Sequence, residues 1–235
     1  MTDQIIQLAR KGDQKSIARM ISLIENQSVN IDEENISKSI PVIGITGPPG
    51  AGKSTLVDAL IGEYVNDHKK IAVICVDPSS VLHQGALLGD RIRMSQWYDH
   101  SQVFIRSLSS RGSMGGLHPA MKGIVKFLQS CPFDMILIET VGVGQSEIEI
   151  IKHADKTVMV LVPEAGDEIQ MMKSGVVEVA DLFVVNKMDR PGANQFVSHL
   201  KNMLNTKMSN KKICTTIATK GEGVDVLKKQ LDEML

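Results

Sequence analysis

The chain has 235 residues, of which 43% are hydrophobic and 23% are charged, and its formal net charge is −1. This length suits one large globular domain with a well-buried core and would be cramped for two. A net charge so close to zero creates no field that would gather nucleic acid or an anionic membrane, so we expect neither as a partner.

The N-terminal part of the chain predicts a helix and a linker. Residues 3 to 26 carry apolar side chains at helical spacing, which indicates an amphipathic helix with a break near Gly12. The polar stretch "NQSVNIDEENISKS" follows and is typical of a linker. We therefore expect a helical extension and linker over residues 1–40 and the main domain over residues 41–235.

From residue 41 onwards, short β-rich apolar runs alternate with segments of helical periodicity. The strand candidates are "PVIGIT", "IAVICV", "VFIRSL", "DMILIE", "TVMVLV", "DLFVVN" and "KICTTIA", and the helix candidates include residues 53–67, 117–129, 168–179 and 223–234. Nearly continuous Val, Ile and Leu suits strands that are covered on both faces. The pattern predicts a three-layer α/β fold with a mostly parallel sheet, which binds ligands beyond the carboxyl ends of its strands.

"GPPGAGKS" fits the phosphate-loop pattern G-x-x-x-x-G-K-[ST] and lies between a predicted strand and a predicted helix. Its glycines let backbone N–H groups turn inward around phosphate oxygens, and the helix N-terminus adds positive charge. Lys53 would supply a cation for the β and γ phosphates, and Ser54 a hydroxyl ligand for Mg²⁺. The predicted nucleotide-contacting residues here are Gly47, Pro48, Pro49, Gly50, Ala51, Gly52, Lys53, Ser54 and Thr55.

"VVNKMDR" follows a buried strand and indicates which base is bound. The Asp189 carboxylate can accept hydrogen bonds from guanine N1–H and N2–H₂, neither of which adenine offers, so the motif predicts GTP and GDP as ligands. The Lys187 stem can cover the ring face, and Asn186 can tie the loop together. In "TIATKGEG", backbone N–H groups of Ala218 and Thr219 could meet the guanine carbonyl, although an ordinary strand-to-helix turn accounts for this stretch as well.

Three acidic residues are candidates for the metal side of the site. Glu139 ends the strand "DMILIE", where P-loop enzymes hold Mg²⁺ through water. Asp77 and Asp90 flank a glycine-containing loop that could bring both carboxylates towards the metal, and either could instead cap a helix. In "ETVGVGQSE", the Gly142 N–H could meet the γ-phosphate, and loss of that phosphate would release the loop. Gln145 is the nearest side chain suited to positioning the attacking water.

Other polar residues give weaker signals. Arg111, among glycines, could act on the phosphates from within the chain or could be a solvated loop residue. Cys75, Cys131 and Cys214 lie far apart without a Cys-x-x-Cys pair, so we interpret them as thiols of a reducing compartment. No signal-peptide core or run of ~20 apolar residues is present, which predicts a cytoplasmic protein.

Taken together, the motifs identify a family. The chain resembles the MeaB/ArgK family, the G-protein chaperones of adenosylcobalamin-dependent acyl-CoA mutases, in the order and spacing of "GITGPPGAGKSTLVDAL", "VDPSS", "LLGDRIRM", "SSRGSMGGL", "ETVGVGQSE", "PEAGDEIQMMKSG", "NKMD" and "ATKGEGV". The resemblance implies a SIMIBI-class P-loop GTPase whose partner is a mutase of the methylmalonyl-CoA mutase type. Such a protein gates delivery of intact adenosylcobalamin and protects or reactivates the mutase, with GTP hydrolysis as the timing step.

The resemblance also assigns residues and raises alternatives. It implies phosphate and Mg²⁺ roles for Lys53, Ser54, Asp77, Asp90 and Glu139, guanine contacts for Asn186, Lys187 and Asp189, and a partner-responsive switch that contains Gln170 and Lys173. Relatives usually continue into a C-terminal arm that builds a homodimer, whereas this chain stops at "LKKQLDEML", so a homodimer here would form without that arm. The alternative functions are an ATPase or kinase linked to arginine/ornithine transport, against which "NKMD" argues, and a nickel-type metallochaperone GTPase.

Overall fold

A computed structural model of the chain describes residues 2–29, 40–77, 94–109, 117–140, 149–163, 178, 180–207 and 211–235. Among these residues no helix combines the length and the apolar character that crossing a membrane requires.

Seven strands form one sheet in the order β3-β2-β4-β1-β5-β6-β7. Every described strand pair is parallel. All seven predicted strands are confirmed, with the bounds β1 Val42–Thr46, β2 Ile71–Asp77, β3 Val103–Ser109, β4 Met135–Glu139, β5 Lys156–Leu161, β6 Leu182–Val185 and β7 Lys212–Thr215. β1 lies between β4 and β5, so the carboxyl ends of these three strands lie side by side.

Six α-helices lie in the described residues: α1 Thr2–Arg10, α2 Gln14–Glu25, α3 Lys53–Asn66, α4 Met121–Gln129, α5 Ala193–Lys207 and α6 Val224–Met234. The predicted N-terminal helix is broken as expected, because Gly12 has φ +93° and the Asp13 carboxylate then caps α2 by accepting from the Ser16 N–H at 2.8 Å. α4 begins four residues later than predicted, after a turn in which the Met121 N–H donates to the His118 carbonyl at 2.9 Å. The predicted helix over 168–179 lies almost wholly outside the described residues.

Helices cover both faces of the sheet and complete three layers. On one face α3 and α6 pack on the strands in a single apolar cluster. On the other face a second cluster joins α1, α2 and α4 to β1–β4, and a third joins α5 to β5 and β6. The N-terminal helices therefore share a core with the sheet, and the predicted three-layer α/β fold is confirmed.

The α1–α2 hairpin is also attached to β3, at one edge of the sheet. Arg106 of β3 donates from Nη2 to the Glu25 carboxylate at 2.9 Å and to the Ser22 hydroxyl at 3.0 Å. The Gln14 side-chain amide donates to the Val103 carbonyl at 3.1 Å. These bonds fix the hairpin to the strand in addition to the apolar contacts.

Candidate nucleotide-binding site

The loop between β1 and α3 has a backbone that only glycine fits at two positions. Gly47 has φ +141° and Gly52 has φ +84°, both in the region that L side chains rarely adopt. A Cβ on Gly47 would lie 2.1 Å from the Val160 carbonyl oxygen, and one on Gly52 would lie 2.5 Å from Asn186 Nδ2. The loop therefore packs tightly against β5 and against Asn186, which directly follows β6.

Lys53 is the first residue of α3, and its side chain folds back into this loop. Its buried ammonium donates from Nζ to the carbonyl oxygens of Gly47 at 2.8 Å and Pro48 at 3.1 Å. The positive charge thus lies at the helix N-terminus, where the helix dipole also favours an anion. Pro49 and Gly50 form the exposed tip of the same loop.

Ser54 and Glu139 meet beneath the loop. β1 and β4 pair with Ile45 opposite Glu139, which brings the strand-ending carboxylate next to α3. The Ser54 hydroxyl donates to Glu139 Oε1 at 2.6 Å, a length typical of a charge-assisted bond, and both side chains are buried. A hydroxyl and a carboxylate are the hard oxygen donors that Mg²⁺ prefers, so this pair fits the predicted metal side of the site. Asp77 ends β2 at the same edge of the sheet.

Asn186 connects three loops through one buried amide. Its Nδ2 donates to the Ala51 carbonyl at 3.0 Å, while its Oδ1 accepts from the Thr216 hydroxyl at 3.0 Å and from the Ala218 N–H at 3.1 Å. The phosphate loop, the Asn-Lys-x-Asp loop and the loop after β7 are therefore held at fixed relative positions. Sequence reasoning missed Thr216, because a threonine after a strand carries no pattern of its own.

The rest of the predicted base-reading loop lies at the surface. Lys187 has φ +59° and is half-buried, and Asp189 is exposed. Main-chain bonds hold the turn, since the Met188 N–H donates to the Thr216 carbonyl at 3.2 Å and the Arg190 N–H to the Lys187 carbonyl at 3.0 Å. The Ala218 N–H, predicted to face guanine, is engaged with Asn186 in this structure, and the neighbouring Thr219 is exposed.

Comparison with known proteins identifies the chain. Residues 17–235 match the family model described as methylmalonyl-CoA mutase-associated GTPase MeaB. The chain belongs to the MeaB family. The resemblance drawn from the motifs is thereby confirmed, and with it membership of a P-loop GTPase family.

Two relatives align with most of this chain. A putative GTPase of Pyrococcus horikoshii is 42% identical over 246 residues, an alignment covering 98% of this chain and 77% of the relative. A fused isobutyryl-CoA mutase of Geobacillus kaustophilus is 36% identical over 208 residues, covering 82% of this chain and 19% of that protein.

Solved structures share the fold. The crystal structure of an LAO/AO transport system kinase has a TM-score of 0.71 at 23% identity and covers 99% of this chain and 74% of its own. HypB from Helicobacter pylori in complex with nickel has a TM-score of 0.64 at 17% identity and covers 90% of this chain and 93% of its own. At these identities the likeness concerns the fold alone, and it agrees with the predicted P-loop architecture.

Several predicted residues of the MeaB site lie outside the described part of the chain. These are Asp90, Arg111, Gly142, Gln145, Gln170 and Lys173, and the side chain of Asp77 is likewise not described. Their assigned roles stay predictions.

The cysteines are separate from one another and buried. None of the three forms a disulfide. Burial raises the pKa of the Cys131 thiol to about 12 and also raises the pKa of Cys214, which keeps both protonated near neutral pH. Within the described ranges, no group of three or more His, Cys, Asp or Glu side chains could hold a metal ion.

Proposed function

We propose that this MeaB-family protein binds GTP with Mg²⁺, hydrolyses it slowly on its own, and acts as a chaperone of an adenosylcobalamin-dependent acyl-CoA mutase. GTP would gate the loading of intact adenosylcobalamin and the protection or reactivation of the mutase. The observation that carries the nucleotide part is the Asn186 network, which joins the phosphate loop to the Asn-Lys-x-Asp loop.

The phosphate end of GTP would be held by the loop from Gly47 to Thr55. The buried Lys53 ammonium would exchange its two carbonyl partners for β- and γ-phosphate oxygens. At the other end, the Asp189 carboxylate would accept from guanine N1–H and N2–H₂, and the Lys187 stem would cover the ring. Because adenine offers neither donor, the same loop would exclude ATP.

Ser54 and Glu139 support a Mg²⁺ site, with Asp77 and Asp90 as predicted additional carboxylates. In the bound state Ser54 Oγ would turn from Glu139 towards the ion, and Glu139 would act on the ion's water shell. The ion, when bound, neutralises charge on the β- and γ-phosphates.

Hydrolysis would proceed by attack of water on the γ-phosphate. Lys53 offsets the charge on the phosphate oxygens, and Gln145 is our proposal for the residue that positions the water. We assign no catalytic arginine, so we expect a low rate that the partner increases. In comparable GTPases a partner contributes up to ~10⁵-fold.

The mutase part rests on the family and on its fused relatives. A chain that carries an isobutyryl-CoA mutase and this GTPase region in one polypeptide holds both at a high effective concentration. Such a fusion supports a functional pairing of GTPase and acyl-CoA mutase in this protein too. The likeness to the transport kinase and to HypB, at 23% and 17% identity, supports a common fold and does not favour either alternative activity.

The test is a capture experiment. Immobilised protein is loaded with a non-hydrolysable GTP analogue or with GDP and incubated with lysate of the source organism, and captured proteins are identified by mass spectrometry. We expect an adenosylcobalamin-dependent mutase in amounts that differ between the two nucleotide states. A Lys53→Ala variant, which should lose the phosphate contacts, serves as the control in which the difference disappears.

Two results would contradict the proposal. Recovery of a transporter component or of a nickel enzyme, with no mutase in either state, would assign the GTPase to one of the alternative functions. Equal recovery of the mutase by wild type and Lys53→Ala in all states would mean that nucleotide does not gate the interaction.

A further inference from the structure

Two threonines at the ends of β1 and β4 form a buried hydroxyl pair that is not among the predicted nucleotide or metal contacts. Thr140 Oγ1 donates to Thr46 Oγ1 at 3.0 Å, and the two side chains are 1% and 0% exposed. A backbone hydrogen bond joins the same two segments, in which the Thr140 N–H donates to the Ile45 carbonyl at 3.0 Å. Because both hydroxyls are buried away from water, removing one of them leaves the other without this hydrogen-bond partner, which costs free energy.

In the chain, each threonine is the neighbour of a residue of the candidate nucleotide-binding site. Thr46 directly precedes Gly47, whose carbonyl accepts from the Lys53 ammonium at 2.8 Å. Thr140 directly follows Glu139, whose carboxylate accepts from Ser54 at 2.6 Å. The hydroxyl bond therefore ties together the two backbone segments that hold the phosphate-side cation and the metal-side carboxylate.

We propose that Thr46 and Thr140 are positioning residues that fix Glu139 relative to the phosphate loop. This inference rests on the proposed function of the same site. The two hydroxyls bond to each other, and neither is a proposed nucleotide contact. Each acts through its neighbour, and a small displacement of Glu139 from Ser54 would weaken Mg²⁺ binding and slow hydrolysis while leaving the guanine contacts in place.

The test uses five variants and three readouts, together with the GDP affinity measured with and without Mg²⁺. The variants are Thr140→Val, Thr46→Val, the double variant, Thr140→Ser, which keeps the hydroxyl, and Thr215→Val, which makes the same change at an exposed position of β7. The readouts are the thermal midpoint, the kcat for GTP, and the Mg²⁺ concentration that gives half-maximal turnover.

We expect Thr140→Val to lower kcat by about 10-fold or more and to raise the Mg²⁺ requirement, because misplacement by a fraction of an ångström is costly at a reacting site. GDP affinity measured without Mg²⁺ should equal that of wild type. In the double variant the thermal midpoint should recover, since removing both partners leaves no unpaired hydroxyl, whereas turnover should stay low. Thr140→Ser should retain most of the activity.

The proposal is overturned if turnover recovers together with stability in the double variant, because the pair would then be purely structural. It is also overturned if Thr140→Val hydrolyses GTP with wild-type kcat and Mg²⁺ requirement. If wild type and Thr215→Val hydrolyse no GTP, the proposed function fails instead. In that case the Mg²⁺ dependence of GDP affinity still decides the role of the pair, and an unchanged dependence in Thr140→Val overturns it.

Discussion

A single side-chain amide, that of Asn186, uses both of its ends to organise the nucleotide site. Its N–H₂ group holds the phosphate loop at Ala51, and its oxygen holds Thr216 and Ala218 after β7. An aspartate could not donate to Ala51, and a leucine could satisfy neither end. This requirement for a donor and an acceptor on one short side chain explains why asparagine occupies the position.

Asp189 carries the first prediction, which concerns base selectivity. We expect Asp189→Asn to lower GDP affinity by about 100-fold or more. The carboxylate accepts two hydrogen bonds from guanine, whereas the amide N–H₂ group of asparagine would face a guanine N–H group, and two donors cannot bond to each other. Xanthosine diphosphate has a carbonyl where guanine has the 2-amino group, so it should bind the variant more tightly than GDP does. Titration calorimetry with GDP, ADP and xanthosine diphosphate measures all three affinities.

The matched control is Asp3→Asn, an identical change on the exposed side of α1. It should bind GDP as wild type does. A variant at Asp189 that keeps full GDP affinity, or a wild type that binds ADP as tightly as GDP, would contradict the assignment of this loop to guanine.

For single residues, the sequence predicts which side chains take part in the site better than it predicts which residues they form hydrogen bonds with. The glycine spacing and the Asn-Lys-x-Asp motif were sufficient to find the loops, because phosphate and guanine impose chemistry that few residues satisfy. Thr216, Thr46 and Thr140 were not predicted, because their role depends on which strand ends become neighbours. That information lies in the strand order and not in the local pattern.

Among the elements, the α1–α2 hairpin is attached to β3 in part by one partly buried ion pair. The side chains of Arg106 and Glu25 are 26% and 11% exposed, so both charges are largely removed from water. The Lys152–Glu149 pair provides a contrast, because Lys152 is 65% exposed. Pairs of the second kind contribute little to stability.

We expect Arg106→Ala to lower the free energy of unfolding by about 1–3 kcal/mol, because it leaves the Glu25 carboxylate without its cation. Lys152→Ala should lower it by less than about 1 kcal/mol. Urea denaturation followed by circular dichroism measures both values. In the double variant Arg106→Ala/Glu25→Ala the loss should be smaller than the sum of the single losses, and strict additivity would mean that the pair contributes no coupling.

The elements themselves were predictable to different degrees. The seven strands were predictable because short, continuous runs of Val, Ile and Leu are typical of parallel strands that are buried on both faces. α5 was not among the named helices, although its apolar residues Phe196, Val197, Leu200 and Leu204 have helical spacing. The late start of α4 follows from His118 and Pro119, where a turn replaces the first helical residues.

On the scale of the whole molecule, the described parts of the nucleotide site lie at one edge of the sheet, and both faces of the sheet are occupied by helices. We therefore expect a partner to sense the nucleotide through segments that reach this carboxyl edge. The stretch that contains Gln170 and Lys173 follows β5, whose Val160 packs against the phosphate loop at Gly47. This chain order is consistent with the proposed role of the stretch as a relay between a mutase and the γ-phosphate.

The last prediction tests that relay. We expect Gln170→Ala and Lys173→Ala to leave basal GTP hydrolysis near the wild-type rate but to blunt its stimulation by the mutase, because these side chains are proposed to respond to the partner and not to hold the nucleotide. Phosphate release measured with and without purified mutase gives both rates, and Lys152→Ala is the surface control. If both rates fall in parallel, the segment supports the site structurally and the partner must act elsewhere. If only the stimulated rate falls, the response to the mutase requires the segment that follows β5, which links the fused arrangement of the relatives to the chemistry of this chain.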